Sequence, residues 1–213
     1  MLRAPTFRVL HPATLSDPVT PLESVEQRLT RSPVLHCKRL DSTCRQELAA
    51  LFTSVFSASE GLEEGRLVGD LASQLAAKID DRAIICASVC DESASILGAA
   101  FLTPLGFDHD WSVYMLAPVA VATPHQGQGI GQALIKFALG ALKARSVDVV
   151  VTYGDPAFYS KVGFGALSEK VIQAPLRLSM PGGWLGQSLT GRPIPVIQER
   201  PKCVREFNDP AYW

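Results

Sequence analysis

The chain reads as an α/β protein with helices and strands mixed along its length. Three observations carry this. Helix-periodic stretches alternate with short β-branched runs. Two of those runs, Ala83–Val89 and Ser95–Leu102, flank a polar Asp-Glu-Ser turn, as in a hairpin. A glycine-dense loop then joins an apolar run to a periodic helix through Val119-Ala-Val-Ala-Thr-Pro-His-Gln-Gly-Gln-Gly-Ile-Gly131.

Taken in order, residues 1–33 are punctuated by Pro12, Pro18 and Pro21, with a helical turn around Leu22–Leu29. They form an N-terminal extension, and residues 34–213 form one domain including C-terminal strands and tail. Val34–Leu40 is a first strand. Cap residues at Asp41–Thr43 precede a helix whose apolar face is Leu48, Leu51, Phe52, Val55 and Phe56. A second helix starts near Glu63 and carries Leu67, Val68, Leu71, Leu75 and Ile79 on one side. Trp111–Val121 is the fourth strand, interrupted by Pro118, which cannot donate to a sheet ladder and belongs at an edge or bulge. Ile130, Ala133, Leu134, Phe137, Ala138, Ala141 and Leu142 mark the next helix, and Val147–Tyr153 the next strand. Apolar stretches near Val171–Leu178 and Ile194–Gln198 are read as the last strands, with a loop at Pro-Gly-Gly-Trp184 between them. Trp184, Tyr212 and Trp213 are read as packing residues.

Composition narrows the function classes. With 20 basic and 21 acidic side chains in 213 residues, and no Lys/Arg cluster, no nucleic-acid partner is indicated. No apolar run approaches a membrane span, so no membrane partner is expected. Met1–Arg8 lacks a signal-peptide core. The five cysteines form no C-x-x-C pair, which favours reduced thiols over a metal site. A cytoplasmic location follows as the expectation.

The glycine loop carries the chemistry. Gly127, Gly129 and Gly131 allow backbone to approach a ligand without Cβ clashes. The first amides of the following helix lack intrahelical partners and lie at its positive end, an arrangement suited to phosphate. A dinucleotide-binding unit for NAD(P) would need G-x-G-x-x-G directly after its strand. Here position 132 is Gln, and Thr-Pro-His-Gln intervenes.

The segment instead resembles the GNAT superfamily of acyl-CoA-dependent N-acyltransferases. That family's pyrophosphate loop, Arg/Gln-x-x-Gly-x-Gly/Ala, is matched by Gln126-Gly-Gln-Gly129-Ile-Gly131. Its tyrosine before Gly-Phe is matched by Phe158-Tyr159-Ser-Lys-Val-Gly163-Phe164. Leu116–Val121 with Gly154–Tyr159 is similar to the bacterial YhbS-like branch. The resemblance implies a mixed, mostly antiparallel central sheet with helices on both faces and strands 4 and 5 splayed.

It also implies acetyl transfer from acetyl-CoA to a primary amine by direct attack in a ternary complex. Acetyl-CoA would be held by Val119, Ala120, Val121, Gln126, Gly127, Gln128, Gly129, Ile130, Gly131, Gln132, Phe158 and Tyr159. Tyr159 occupies the general-acid position. A neutral amine is needed for attack, and at a pKa of about 10.4 fewer than ~1 in 1000 amines are neutral at pH 7. The fourth strand carries no carboxylate, so the base is sought at Glu60 and Glu63, with Glu64, Asp108 and Asp110 as further candidates. Asp155-Pro156 reads as an N-cap with proline at the first helical position. His125, Lys143 and Lys161 read as solvated. Partners are then acetyl-CoA, an amine acceptor and, in a homodimer, a second copy of the chain. The competing class is a non-catalytic acyl-CoA sensor.

Overall fold

A computed structural model describes residues 35–80 and 82–213. The expected extension over residues 1–33 lies outside the described residues. A seven-stranded sheet runs in the order β1-β2-β3-β4-β5-β7-β6. Its strands are β1 His36–Leu40, β2 Ile85–Cys90, β3 Ile96–Leu105, β4 Val113–Val121, β5 Val149–Tyr153, β6 Gly165–Ala166 and β7 Trp184–Ser188. The helices are α1 Arg45–Glu60, α2 Leu62–Ala76, α3 Ile130–Lys143 and the one-turn α4 Pro156–Tyr159. Every ladder is antiparallel except β4–β5, so this is the mixed, mostly antiparallel sheet that the resemblance implies and not a doubly wound parallel sheet.

Local chemistry explains the elements. Asp41 accepts from the Thr43 amide and leads the chain through a 3-10 turn into α1. Asp91 Oδ1 accepts from the amides of Ser93 and Ser95, which closes the β2–β3 hairpin. Within the sheet, alternate residues feed two cores, as a period of 2 dictates. Cys86, Ala99, Phe101, Met115, Val149 and Val151 face α1 and α2. Ile85, Ala87, Val89, Ala100, Leu102, Leu116 and Val150 face α3. With both faces covered, β2 and β5 are buried along their whole length and are apolar apart from Ser88 and Thr152 and the Tyr153 hydroxyl. Phe52 of α1 sits against Phe101 of β3 with ring centroids 5.7 Å apart. Burying each such side chain contributes about 1.5–3 kcal/mol.

One expectation is corrected. The apolar stretches at Val171–Leu178 and Ile194–Gln198 are not strands; they meet through an isolated bridge between Ile172 and Ile197 and through Gln173 Nε2, which donates to the Gln198 carbonyl at 2.7 Å. Pro175 interrupts the first stretch. The strands that finish the sheet are β6 and β7, and β7 starts at Trp184, where a loop was expected. Gly186 obscured it, because a glycine weakens a strand signal. At that position a Cβ would lie 3.0 Å from Leu167 Cδ2 and 3.2 Å from Ile194 Cδ1. Trp184 is a packing residue, buried with its indole N–H donating to the Ile172 carbonyl at 2.9 Å. Its ring centroid lies 6.3 Å from that of Trp213.

Candidate active site

The site begins where a ladder stops. β4 and β5 pair only through Val113–Val149, Tyr114–Val150 and Met115–Val151, while β4 continues to Val121. Beyond Met115 the two strands diverge and leave one edge of β4 open. On its other edge β4 pairs with β3, with a register shift between Ala100 and Leu102. That shift reverses which residues face the opening. Leu116 faces β5, since its carbonyl accepts from Thr152 Oγ1 at 2.8 Å. After the shift, the Ala122 amide donates back to Leu97 of β3 at 2.8 Å. Alternation then turns Ala120 toward β3, while Val119 presents N–H and C=O, and Val121 its N–H, to the open side; the Val121 carbonyl accepts from Gln126 Nε2 at 2.9 Å. Pro118 sits within the irregularity and has no N–H to leave unpaired.

The glycine loop follows at once. Gly127 and Gly129 adopt positive φ of 75° and 82°, the left-handed region that glycine enters without a Cβ penalty. Gly129 is the N-cap of α3. Among the described residues, the amides of Gly127, Gln128, Gly129, Ile130, Gly131 and Gln132 donate to no backbone carbonyl, whereas Ala133 N–H donates to Gly129 at 3.0 Å. These amides surround a helix start that has no acidic residue in its first turn. Negative charge placed there is stabilised by both the N–H donors and the helix dipole. Gly131 needs its lack of a side chain for another reason: a Cβ would lie 3.1 Å from Phe158 Cζ. Loop and α4 thus touch.

α4 delivers the two aromatic residues. Asp155 caps it by accepting from the Ala157 amide at 2.9 Å with Pro156 at the first helical position, so its structural reading fits the geometry. Phe158 is half-buried at the loop. Tyr159 is buried, with its ring edge-on to Phe158 and Phe164 at centroid separations of 5.2 and 5.5 Å. Its hydroxyl lies near Thr152, at the point where β4 and β5 part. Burial pushes its pKa up to about 12, partly offset by the nearby Thr152, so the phenol is protonated at neutral pH. Tyr159 is thus a packing residue whose hydroxyl stays protonated.

The acidic candidates separate clearly. Asp108 is exposed and ion-paired to Lys202 Nζ at 3.1 Å, and its amide donates to Glu199. His109 lies on the same glutamate at 3.2 Å. These contacts tie the β3–β4 loop to the C-terminal segment. Asp110 is exposed, as is Glu63 in the first turn of α2. Glu60 and Glu64, at the α1–α2 junction, each bury an Oε1. Burial raises the Glu64 pKa. Its neighbour on the tail, Tyr212, has a raised pKa from burial and from Asp209, Asp70 and Glu64. Sequence patterning placed Glu63 beside Glu60, but helical phase turns Glu63 outward and Glu64 inward. Lys143 and Lys161 are exposed, and His125 is half-buried.

A family described as acetyltransferase (GNAT) domain matches residues 80–165, which span β2 to α4 and include the whole loop. The N-acetyltransferase YhbS of Escherichia coli K12 is 34% identical over 95 residues, 43% of this chain and 53% of that protein. YjhQ of the same strain, also named an N-acetyltransferase, is 31% identical over 85 residues, 38% of this chain and 47% of that protein. The chain thus spans about half the length of the curated relatives it matches. The crystal structure of E. coli YhbS in complex with CoA aligns with a TM-score of 0.68 at 20% identity, over 86% of this chain and 97% of that one. A Brucella melitensis GNAT acetyltransferase in complex with acetyl-CoA aligns with a TM-score of 0.65 at 18% identity, over 83% and 100%. At these identities the likeness establishes the fold. Among the described residues no helix is long and apolar enough to cross a membrane.

Proposed function

We propose that this chain, whose residues 80–165 form a GNAT acetyltransferase domain of YhbS-like kind, is an acetyl-CoA-dependent N-acetyltransferase acting on a primary amine. One observation carries the reading: an open β4 edge runs straight into a ring of unengaged amides, with a protonated phenol at the fork. The amides of Gly127 to Gln132 would hold the pyrophosphate. Each such bond to a charged oxygen contributes about 1.5–3 kcal/mol. Val119 and Val121 would bond the pantetheine amides, and an N–H there would polarise the thioester carbonyl. Phe158 would close the cofactor side against Gly131.

The chemistry then falls to few groups. The amine must lose its proton, and Glu64, with its raised pKa, is the carboxylate best suited to accept it at neutral pH. The amine attacks the thioester carbonyl directly, and Tyr159 supplies the proton to the departing thiolate. The acceptor is a primary amine, and the protein works in the cytoplasm.

The test is acetyl-CoA-dependent thiol release over small amines, amino acids, peptide N-termini and protein lysines. Release with at least one class is expected, and Tyr159→Phe should lower it by about 10²–10⁴ while CoA affinity holds. CoA binding with no release for any class, and no effect of Tyr159→Phe on it, would instead indicate a sensor.

A further inference from the structure

One flank of α3 faces a groove instead of the sheet. Leu134, Ala138 and Leu142 are buried in the core, while Phe137, Gly140, Ala141 and Ala144 line a groove of about 590 Å³ together with Arg145 and with Arg39 of β1. Chain direction explains this lining. His36 pairs with Cys90, Val89 with Gly98, and Gly98 with Val121, which leads toward α3. β1 and α3 therefore start at the same end of the sheet, and Arg39 near the end of one meets Gly140–Arg145 at the end of the other. Arg39 pairs with Ala87, which faces α3, so alternation puts Arg39 on that side and Lys38 on the opposite one.

Charge is one-sided here. Neither β1 nor α3 contains an Asp or a Glu, and α3 carries exposed Lys136 and Lys143, each about one turn from Gly140. Arg145 Nη2 donates to the Arg82 carbonyl at 3.0 Å, which holds the guanidinium at the foot of the groove with its charge intact. An apolar floor thus lies between basic rims. Its complement is an acidic stretch of chain with apolar side chains, whereas two copies set groove to groove would bring cation against cation.

We propose that the groove seats residues 17–26 of this same chain, Asp-Pro-Val-Thr-Pro-Leu-Glu-Ser-Val-Glu. These residues lie outside the described ones; their sequence and their reach name them. Asp17, Glu23 and Glu26 are the only acids among residues 1–34, and the stretch that holds all three has no Lys or Arg. Leu22 and Val25 repeat at the same interval as Glu23 and Glu26, so apolar and acidic side chains recur together. The first pair goes to the Phe137–Ala141 floor, and the carboxylates go to the rims. From Glu26 to Leu35 the extended chain covers about 30 Å, whereas α3 is about 21 Å long, so the stretch reaches the whole groove. Seated there, it covers the flank of the helix whose first turn carries the glycine loop.

The experiment is zero-length cross-linking of the full chain with a carbodiimide, which joins a carboxylate to a lysine only where the two touch. Linked peptides are mapped by mass spectrometry. Mixing isotope-labelled with unlabelled chains separates links within one chain from links between two. The expected links run within one chain, from Glu23 or Glu26 to Lys136 or Lys143. Their yield should fall severalfold from about 0.1 M to about 1 M salt, as the Debye length shrinks from ~10 to ~3 Å. Arg39→Glu removes no linking residue and should cut the yield about threefold or more, while Lys38→Glu makes the same charge change on the other face and should leave it. Leu22→Ser with Val25→Ser keeps every charge and should cut the yield as Arg39→Glu does. No link to α3, a yield indifferent to salt, or equal losses in Arg39→Glu and Lys38→Glu would each overturn the proposal. Links only between two chains would overturn it in favour of a second copy on this face. A full yield from the double serine variant would overturn it too, leaving charge attraction without an apolar seat. The wild-type links need no substitution, so they decide the matter even where a variant fails to fold.

Discussion

Gln126 Nε2 donates to the Val121 carbonyl at 2.9 Å, so the first side chain of the glycine loop closes on the last residue of β4. The sequence motif assigns that side chain to the phosphate. In the folded chain its amide instead braces the turn, and Gln128 Nε2 reaches the Pro124 carbonyl at 3.2 Å in the same way. The loop is therefore shaped before any ligand arrives, which lowers the ordering cost of binding.

Gln126→Glu puts a carboxylate against that carbonyl and brings negative charge to the site proposed for pyrophosphate. The lost brace and the repulsion should lower CoA affinity at least tenfold, about 1.4 kcal/mol or more, in a protein that still folds. Gln126→Ala, which loses only the brace, should cost about 1 kcal/mol or less. Calorimetric titration of both variants decides; equal affinity for Gln126→Glu and wild type would remove the loop from the cofactor site.

The close α1–α2 crossing makes a different, purely structural prediction. A Cβ on Gly65 would stand 1.9 Å from Ser57 Oγ and 2.7 Å from both the Ser57 nitrogen and the Thr53 carbonyl oxygen. The hydroxyl can swing away, but the backbone atoms cannot. Alanine gains about 1 kcal/mol of helix propensity over glycine, and overpacking costs about 1–3 kcal/mol. Overlap at two backbone atoms places the cost at the upper end, so Gly65→Ala should lose about 1–2 kcal/mol in urea denaturation. Gly140→Ala on α3, where no atom lies within 4 Å, should gain about 0.5–1 kcal/mol in the same assay.

These contrasts mark what the sequence made legible. Strands β1 to β5 and helices α1 to α3 were readable because their periodicities are strong, and side-chain caps at Asp41 and Asp155 marked the turn before α1 and the start of α4. The loop was readable because positive φ at Gly127 and Gly129 leaves a compositional mark. By contrast β7 was hidden: its middle residue is Gly186, placed there by Leu167 and Ile194, which are distant in sequence. Thr152 was hidden for a similar reason. In the sequence it is one more β-branched residue of a buried strand, and its hydroxyl's partner is the Leu116 carbonyl, 36 residues away, where the ladder ends. The acids were half legible, since Glu60, Glu63 and Glu64 are adjacent, but only helical phase tells which carboxylate turns inward.

Glu64 gives the last prediction, through pH. Burial raises its carboxyl pKa above the ordinary value of 4.5, so over the interval just above 4.5 the folded chain holds a proton that the unfolded chain has released. Stability then falls as pH rises through that interval, because the native state binds more protons there. Replacing the carboxylate by a neutral amide removes the titration, so Glu64→Gln should flatten this part of the stability profile in urea melts taken at closely spaced pH values. If Glu64 also accepts the amine proton, kcat/KM should show an acidic limb whose midpoint lies above 4.5, and Glu64→Gln should abolish the limb along with most of the activity. The exposed Glu63 serves as the control, since Glu63→Gln should leave both profiles in place. A flattened stability profile with an unchanged kinetic limb would make Glu64 a buried acid of the helix junction and return the base to Glu60 or to water.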